Sequence, residues 1–342
     1  MKKYYISSLK GDTAISRYSR DFYELVLRDK GYIFMDIAES SIDILSVISS
    51  RDIIHMEIGV QKKETELLLL MLKAKYKYVS VTLHDPPIIE LPISEFKSRF
   101  LRTIARLYRR IRGSGSAELY IGRIRSIYVL SRKDVGAIEK RYGIENVFYL
   151  PYIIDQREIE STDEINSNFI CFNPDGSKKE IAYCLELHRR LTEKDPSVNL
   201  FVTGISRPGS GSFVKTLTEK YGKNIHYAES RDENFFSEGG AKATFVFVLA
   251  SRHADYRRLA SSNVLHGLKK GKIVFTSSGT AMPEYIQDGK NGFYLSGSIK
   301  EDTDAIRRII SDPAILKQVR KETHTYLIEH HSADQVKKLF KD

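Results

Sequence analysis

Residues 261–292 read SSNVLHGLKKGKIVFTSSGTAMPEYIQDGKNG. Ser261, Ser262 and Asn263 are residue types that cap a helix start, and VLHGLKK continues as the helix. A short apolar strand, KIVFTS, follows, then a glycine-bearing turn, Pro283-Glu284 and a second turn at Asp288-Gly289. A helix running into a buried strand is one step of a β/α alternation.

The alternation extends backwards from this stretch. Phe169 to Phe172 is a strand candidate and Lys179 to Thr192 a helix. Val198 to Thr203 is a strand, Ser212 to Tyr221 a helix and Asn224 to Ala228 a strand. Glu233 to Ser237 is a short helix and Ala243 to Ala250 a strongly buried strand. Beyond it lie helices at about Lys300 to Ser311, Pro313 to Ile328 and Ala333 to Phe340.

The first half repeats the scheme. Lys3 to Ser8, Tyr32 to Asp36, Asp52 to Ile58, Tyr78 to Leu83, Ser126 to Leu130 and Asn146 to Leu150 read as strands. Helices fall at Ile15 to Lys30 (stopped by Gly31), from a cap at Ser40 or Ser41 through Ile48, at Thr65 to Ala74 and at Lys133 to Tyr142. Between the halves DQREIESTDEINSN is polar and without periodicity. The expectation is an α/β chain of two doubly wound Rossmann-like domains facing a central cleft. Its parts are an N-terminal domain over 1–152, a linker over 153–168, a second domain over 169–325, and a C-terminal helix over 326–342 that crosses back to the first.

The 342 residues exceed one small core. A hydrophobic share of 42% with 29% charged is an ordinary globular balance. The net charge of +10 calls for an anionic partner: nucleic acid, a membrane surface or a phosphorylated small molecule. Two cysteines in core-like patterns imply neither a disulfide framework nor a metal site. The opening MKKYYISSLKGDT has no leader-like pattern, and the run Leu67 to Leu72 is too short to span a bilayer.

Open parallel sheets bind ligands beyond the carboxyl ends of their strands. Gly11, Glu57, His84, Asn173, Gly204, Ser251 and Ser277 all follow or end predicted strands. His84 and Asp85 precede two prolines that end the ladder. Helix starts at Ser261–Asn263 and beside Lys178 and Lys179 suit an anion, although the first set also serves as plain caps. Lysines at the positive end of a helix are locally unfavourable, which favours a ligand there.

Four segments, YYISSLKGDTAISRYSRDFYELV, VTLHDPP, SRKDVGAIEKRYGIENVFYLPYIID and GKIVFTSSGTAMPEYIQDGKNGFYL, resemble in this order the retaining glycosyltransferases of family 4, which have the GT-B fold. The resemblance covers nearly the full length. It implies a glycosyltransferase that moves a sugar from a UDP- or GDP-type nucleotide diphosphate sugar to a carbohydrate or lipid-linked acceptor. Retention of configuration, no metal or other cofactor, and a place in surface polysaccharide or glycoconjugate synthesis are implied too.

By the same resemblance Gly11 belongs to a donor-phosphate loop, and Asn173 and Lys178 stand where the family carries an Arg and a Lys on the diphosphate. Lys179, Ser261, Ser262, Asn263 and Glu284 join the donor side. His84, with Asp85 fixing its tautomer or position, meets the sugar or acceptor, and Glu57 receives acceptor hydroxyls. The chain departs from the family at its two glutamates: counting back from Pro283-Glu284 places His266 at the second, and Arg258 or Asp255 at the first. A histidine can still hydrogen-bond a hydroxyl.

From Phe96 to Arg112, Phe96, Phe100, Ile104, Leu107 and Ile111 form an apolar stripe opposite Arg99, Arg102, Arg106, Arg109 and Arg110. That pattern fits a helix on anionic headgroups, each basic residue adding about 1 kcal/mol. The expected location is cytoplasmic and peripheral on the inner face of the membrane. Nucleic acid is not expected, since no nucleic-acid-binding signature accompanies the patch. Two alternatives follow: an inactive subunit partnering another transferase, motivated by the missing glutamates, and a nucleotide-sugar epimerase.

Overall fold

The computed structural model describes residues 1–10, 14–39, 41–59, 62–84, 120–160, 164–172, 178–203, 216, 219–221, 224–227, 242–249, 263–277 and 284–341. The chain divides into two compact units, Met1–Asp155 with His330–Asp342, and Gln156–Glu329.

Unit 1 is built on six parallel strands: β1 (Lys3–Ser7), β2 (Tyr32–Asp36), β3 (Ile53–Ile58), β4 (Tyr78–Leu83), β5 (Ser126–Val129) and β6 (Val147–Tyr149). Their order is β2-β1-β3-β4-β5-β6, so the winding reverses between β1 and β3. The helices are α1 (Ala14–Phe22), α2 (Ser41–Val47), α3 (Lys62–Lys73) and α4 (Arg132–Tyr142). Where one continuous helix was expected to Lys30, α1 passes into a π-helical stretch, Tyr23–Leu27. Gly31 follows at φ +78°, a backbone region that a side chain disfavours.

The two faces of this sheet differ. One packs aliphatic side chains, among them Ile6, Ile54, Met56, Val81 and Ile127. The other is aromatic: Tyr5, Tyr18, Phe22, Tyr128 and Phe340 share a core. Phe340 follows the last helix, which is labelled α9 below. It lies edge-on to Phe22 at 5.2 Å and to His55 at 4.9 Å. The backbone N–H of Lys341 donates to the Tyr128 hydroxyl at 2.9 Å. The C-terminal helix thus belongs to unit 1, held by aromatic burial and by the exposed ion pair of Lys337 with Asp29 at 2.7 Å.

Unit 2 has strands β7 (Phe169–Phe172), β8 (Leu200–Thr203), β9 (Ile225–Tyr227), β10 (Phe245–Val248), β11 (Ile273–Ser277) and β12 (Phe293–Leu295). Their order is β12-β11-β10-β7-β8-β9, all parallel, reversing between β7 and β10. Helices are α5 (Lys178–Thr192), α6 (263–269), α7 (Ile299–Ile310) and α8 (Pro313–His331), whose last residues enter unit 1; α9 (Ala333–Leu339) closes the chain. Phe169 stacks on Phe247 at 4.8 Å and on Phe245 at 5.0 Å in the core.

The sequence pattern missed β12, because FYL is short and follows turn residues. It pairs with β11 through Phe275 opposite Phe293. The expected linker is also not a free connection. Ile153 and Ile154 are buried, and Glu158 and Glu160 pair with Lys269 and Lys270 at the end of α6. The chain passes from one unit to the other between Asp155 and Gln156.

The stretch DGKNG is tied into unit 2 by its own polar groups. Asn291 is 1% exposed; its amide donates to Tyr285 O at 2.9 Å and its Oδ1 accepts from Gln287 N at 2.7 Å. Asp288 Oδ1 accepts from Tyr294 N at 2.8 Å, which starts β12. Gly292 leaves no room for a side chain: a Cβ there would lie 2.9 Å from Val274 O. Gly267 likewise lets α6 press on β10 and β11, since a Cβ would come within 2.9 Å of Val246 Cγ1.

Candidate functional site

In unit 1 the polar residues collect where β3 and β4 end, beside the reversal between β1 and β3. Side chains alternate along strands, so His55 and Glu57 on β3 face the same way, as do Ser80, Thr82 and His84 along β4. The register sets Tyr5 beside His55, His55 beside Ser80, and Glu57 beside Thr82. The His84 backbone N–H continues the ladder onto Ile58 O at 3.0 Å. A row of polar groups therefore crosses the aromatic face.

Glu57 is its centre. Its Oε2 lies 2.7 Å from His84 Nε2, and its Oε1 accepts from the Tyr5 hydroxyl at 3.0 Å. His55 Nε2 approaches Oε1 at 3.4 Å and Thr82 Oγ1 at 2.9 Å, while His55 Nδ1 meets Ser80 Oγ at 2.8 Å. Ser80 donates its own proton to Ile54 O at 3.2 Å. The Ser80 oxygen is thus an acceptor for His55 Nδ1–H.

A buried carboxylate is tolerated only when its partners supply donors. Burial alone would push the Glu57 carboxyl up. Hydrogen bonds from His55 and His84, joined by the charge those rings gain when they are protonated, outweigh it and bring Glu57 down to about 2. The Tyr5 and Tyr18 phenols move the other way, first by burial and then by the Glu57 charge. Both remain O–H donors. Tyr18 meets His84 edge-on at 4.9 Å and Tyr152 edge-on at 5.5 Å. Its hydroxyl is buried without a hydrogen-bond partner, although the Thr82 hydroxyl is near enough to weigh on it.

One expectation changes here. Glu57 was expected to receive acceptor hydroxyls at an open strand end. Instead its side chain has no exposed surface, and its two oxygens are taken by protein donors. Asp85, expected to fix His84, lies outside the described residues; Glu57 is a carboxylate bonded to that ring. His55, Tyr5, Tyr18, Ser80 and Thr82 were not singled out from sequence. The signal was present in the alternation of HMEI (55–58) and VSVTLH (79–84), where every second residue of a buried strand is polar.

In unit 2, α5 begins at Lys178, beyond the end of β7 and beside the reversal between β7 and β10. Lys178 and Lys179 are its first two residues. Asn263, 8% exposed, opens α6, and His266 is half-buried along it. Glu284 is half-buried, and its carbonyl accepts from the Tyr326 hydroxyl. Gly11, Asp85, Asn173, Ser261, Ser262, Asp255, Arg258 and the Phe96–Arg112 stretch lie outside the described residues. Among the described residues no group of three or more His, Cys, Asp or Glu is arranged to hold a metal ion, and no helix is long and apolar enough to cross a membrane.

No protein-family model matches the chain, and no curated protein matches it. Solved structures do. HepE of Anabaena in complex with UDP superposes with a TM-score of 0.68 at 13% identity, covering 99% of this chain and 98% of that one. Sucrose-phosphate synthase of Thermosynechococcus elongatus gives 0.68 at 11% identity, with 99% and 97% covered. A complex of S. aureus TarM that contains UDP gives 0.60 at 12% identity; there 87% of this chain matches, but it spans only 56% of TarM. At such identities the likeness is one of fold: two six-stranded parallel α/β units in the GT-B architecture of these glycosyltransferases.

Proposed function

We propose that the chain is a glycosyltransferase acting on a nucleotide diphosphate sugar. Fold by itself does not carry function. The observation that carries this reading is that both units reverse their winding beside the candidate residues: β1 and β3 beside Glu57 and His84, β7 and β10 beside Lys178. Structures of similar fold were solved with UDP or UDP-glucose.

In this reading unit 2 takes the nucleotide diphosphate. The positive end of α5 and Lys178 face charge that accumulates as the glycosidic bond breaks. His84 of unit 1 meets a sugar hydroxyl. The departing diphosphate assists deprotonation of the acceptor on the face that it leaves, so configuration is retained and no metal is required. The acceptor is a carbohydrate or lipid-linked glycan, and the Phe96–Arg112 stretch rests on anionic lipid. His266, standing where the resembled family carries a glutamate, adapts the site to its particular donor.

The test is turnover of UDP- and GDP-sugars by the purified chain with glycan acceptors, product configuration being read by NMR of the anomeric proton. A thermal-shift screen of nucleotides identifies the base, because bound ligand raises apparent stability. Lys178→Ala is expected to abolish the nucleotide-induced shift; an unchanged shift removes Lys178 from the site. Absence of turnover with every donor and acceptor refutes the transferase reading, and turnover of donor without acceptor identifies an epimerase instead.

A further inference from the structure

The chemistry at the end of β4 asks for more than a histidine near a sugar. Glu57 can only accept hydrogen bonds when ionised, and it is held ionised. His84 Nε2, at 2.7 Å, therefore presents its proton to Glu57. That leaves Nδ1, for which the structure records no hydrogen bond to a described residue. The Tyr18 ring lies edge-on to His84, and the Tyr18 hydroxyl, in a residue only 3% exposed, has the Thr82 hydroxyl nearby as a donor but no acceptor within hydrogen-bond geometry for its own proton. A buried polar atom left unbonded is costly and calls for a partner.

We propose that Glu57 is a positioning residue that holds His84 as its Nε2–H tautomer, and that the bare His84 Nδ1 and the Tyr18 O–H together take one sugar hydroxyl. The balance is complete. The sugar O–H donates to Nδ1, and the Tyr18 O–H donates to the same sugar oxygen. A hydroxyl is both donor and acceptor, whereas a carboxylate or an ammonium group could satisfy only one of the two atoms. Glu57 never touches the ligand, and Tyr5 and His55 keep its charge in place from the far side. The inference rests on the transferase reading only for the origin of the hydroxyl, which belongs either to the donor's glycosyl unit or to the acceptor.

The test uses the full chain labelled with 15N-histidine and free of ligand, read by long-range 1H–15N correlation. His84→Gln assigns the signals by their loss. The expected spectrum shows His84 with its proton on Nε2 and a bare Nδ1, and in Glu57→Gln the two tautomers mix. A wild-type His84 protonated on Nδ1 alone, or a Glu57→Gln spectrum like the wild type, overturns the positioning role. The wild-type spectrum decides even if Glu57→Gln does not fold. Tyr18→Phe should leave the tautomer alone and raise KM about tenfold for one substrate, with kcat changed far less. A shift in the KM of the nucleotide sugar assigns the hydroxyl to the donor, and a shift in that of the glycan assigns it to the acceptor. If neither moves, Tyr18 has no part in recognition. Because the tautomer is read without substrate, a chain without turnover refutes the transferase reading while the spectrum still judges Glu57 independently.

Discussion

Glu57 Oε2 lies 2.7 Å from His84 Nε2, with side-chain exposures of 0% and 4%. The carboxyl titrates lower in the folded protein than in the unfolded chain, near 2 against 4.5. Unfolded chains therefore bind the proton first as pH falls, and stability decreases with acid. The contribution is complete above about pH 4.5 and is lost between there and about pH 2. Urea midpoints measured across that window should fall less steeply in Glu57→Gln than in wild type. Equal slopes would mean that Glu57 does not carry the charge in the fold.

His331 acts in a different window. Its Nδ1 donates to Tyr152 O at 2.8 Å, where α8 enters unit 1. Burial brings the ring down from 6.5 to about 4, so the folded form holds it neutral. The unfolded chain protonates from about pH 6.5 downward and the folded protein does not, so stability present above that pH is lost as pH falls towards 4. A displacement of this size corresponds to about 3 kcal/mol. The expected outcome is a falling denaturant midpoint between pH 7 and pH 4 that is flattened in His331→Gln.

Phe340 anchors the C-terminal helix. It is 2% exposed and touches the rings of Phe22, His55, Tyr32 and Tyr128. Phe340→Ala removes that burial and leaves a cavity, at a cost of about 3–5 kcal/mol. Equilibrium unfolding should show this as a lowered midpoint. Limited proteolysis should then release the residues after His331 before any other segment.

Gly292 and Gly289 respond to the same substitution for different reasons. A Cβ at Gly292 meets Val274 O at 2.9 Å and Ile286 Cδ1 at 2.8 Å, a steric clash worth about 1–3 kcal/mol. At Gly289 nothing lies within 4 Å, but φ is +74°, so alanine costs about 1–2 kcal/mol through the backbone alone. Asn in place of Gly289 should recover much of that loss, since asparagine tolerates this region, and Asn in place of Gly292 should not. Thermal unfolding of the four variants checks the contrast.

Cys171 and Cys184 stand 3.3 Å apart in the core of unit 2 as free thiols. Burial first, and then the neighbouring thiol, push Cys184 well above its ordinary range. A thiol without thiolate character and without access does not react. A chromogenic disulfide reagent should therefore modify neither in the native protein and both in denaturant. Rapid native labelling would contradict the packing of β7 on α5.

The alternation of apolar runs with helical periods was enough to place all but one of the strands among the described residues, to assign the parallel α/β class, and to find the strand ends at Glu57 and His84. These features are local: a buried parallel strand must be apolar, and a helix must show one face. β12 escaped because three residues hold a strand only when Asn291, Asp288 and the packing of Gly292 have already shaped the turn before it.

The roles within the candidate site were not local. DIIHMEI shows a glutamate at a strand end, which alone reads as a solvated acid. Register decided otherwise. Pairing β3 with β4 brought Glu57 to His84 and away from water, and the return of the chain's last residues laid Phe340 over His55. Sequence alone determined most of the strands and helices among the described residues and which ends of such sheets suit a ligand, because both follow from periodicity and strand direction. Tertiary structure alone decided that Glu57 serves His84 rather than solvent, because a carboxylate's charge depends on the donors that surround it once it is buried.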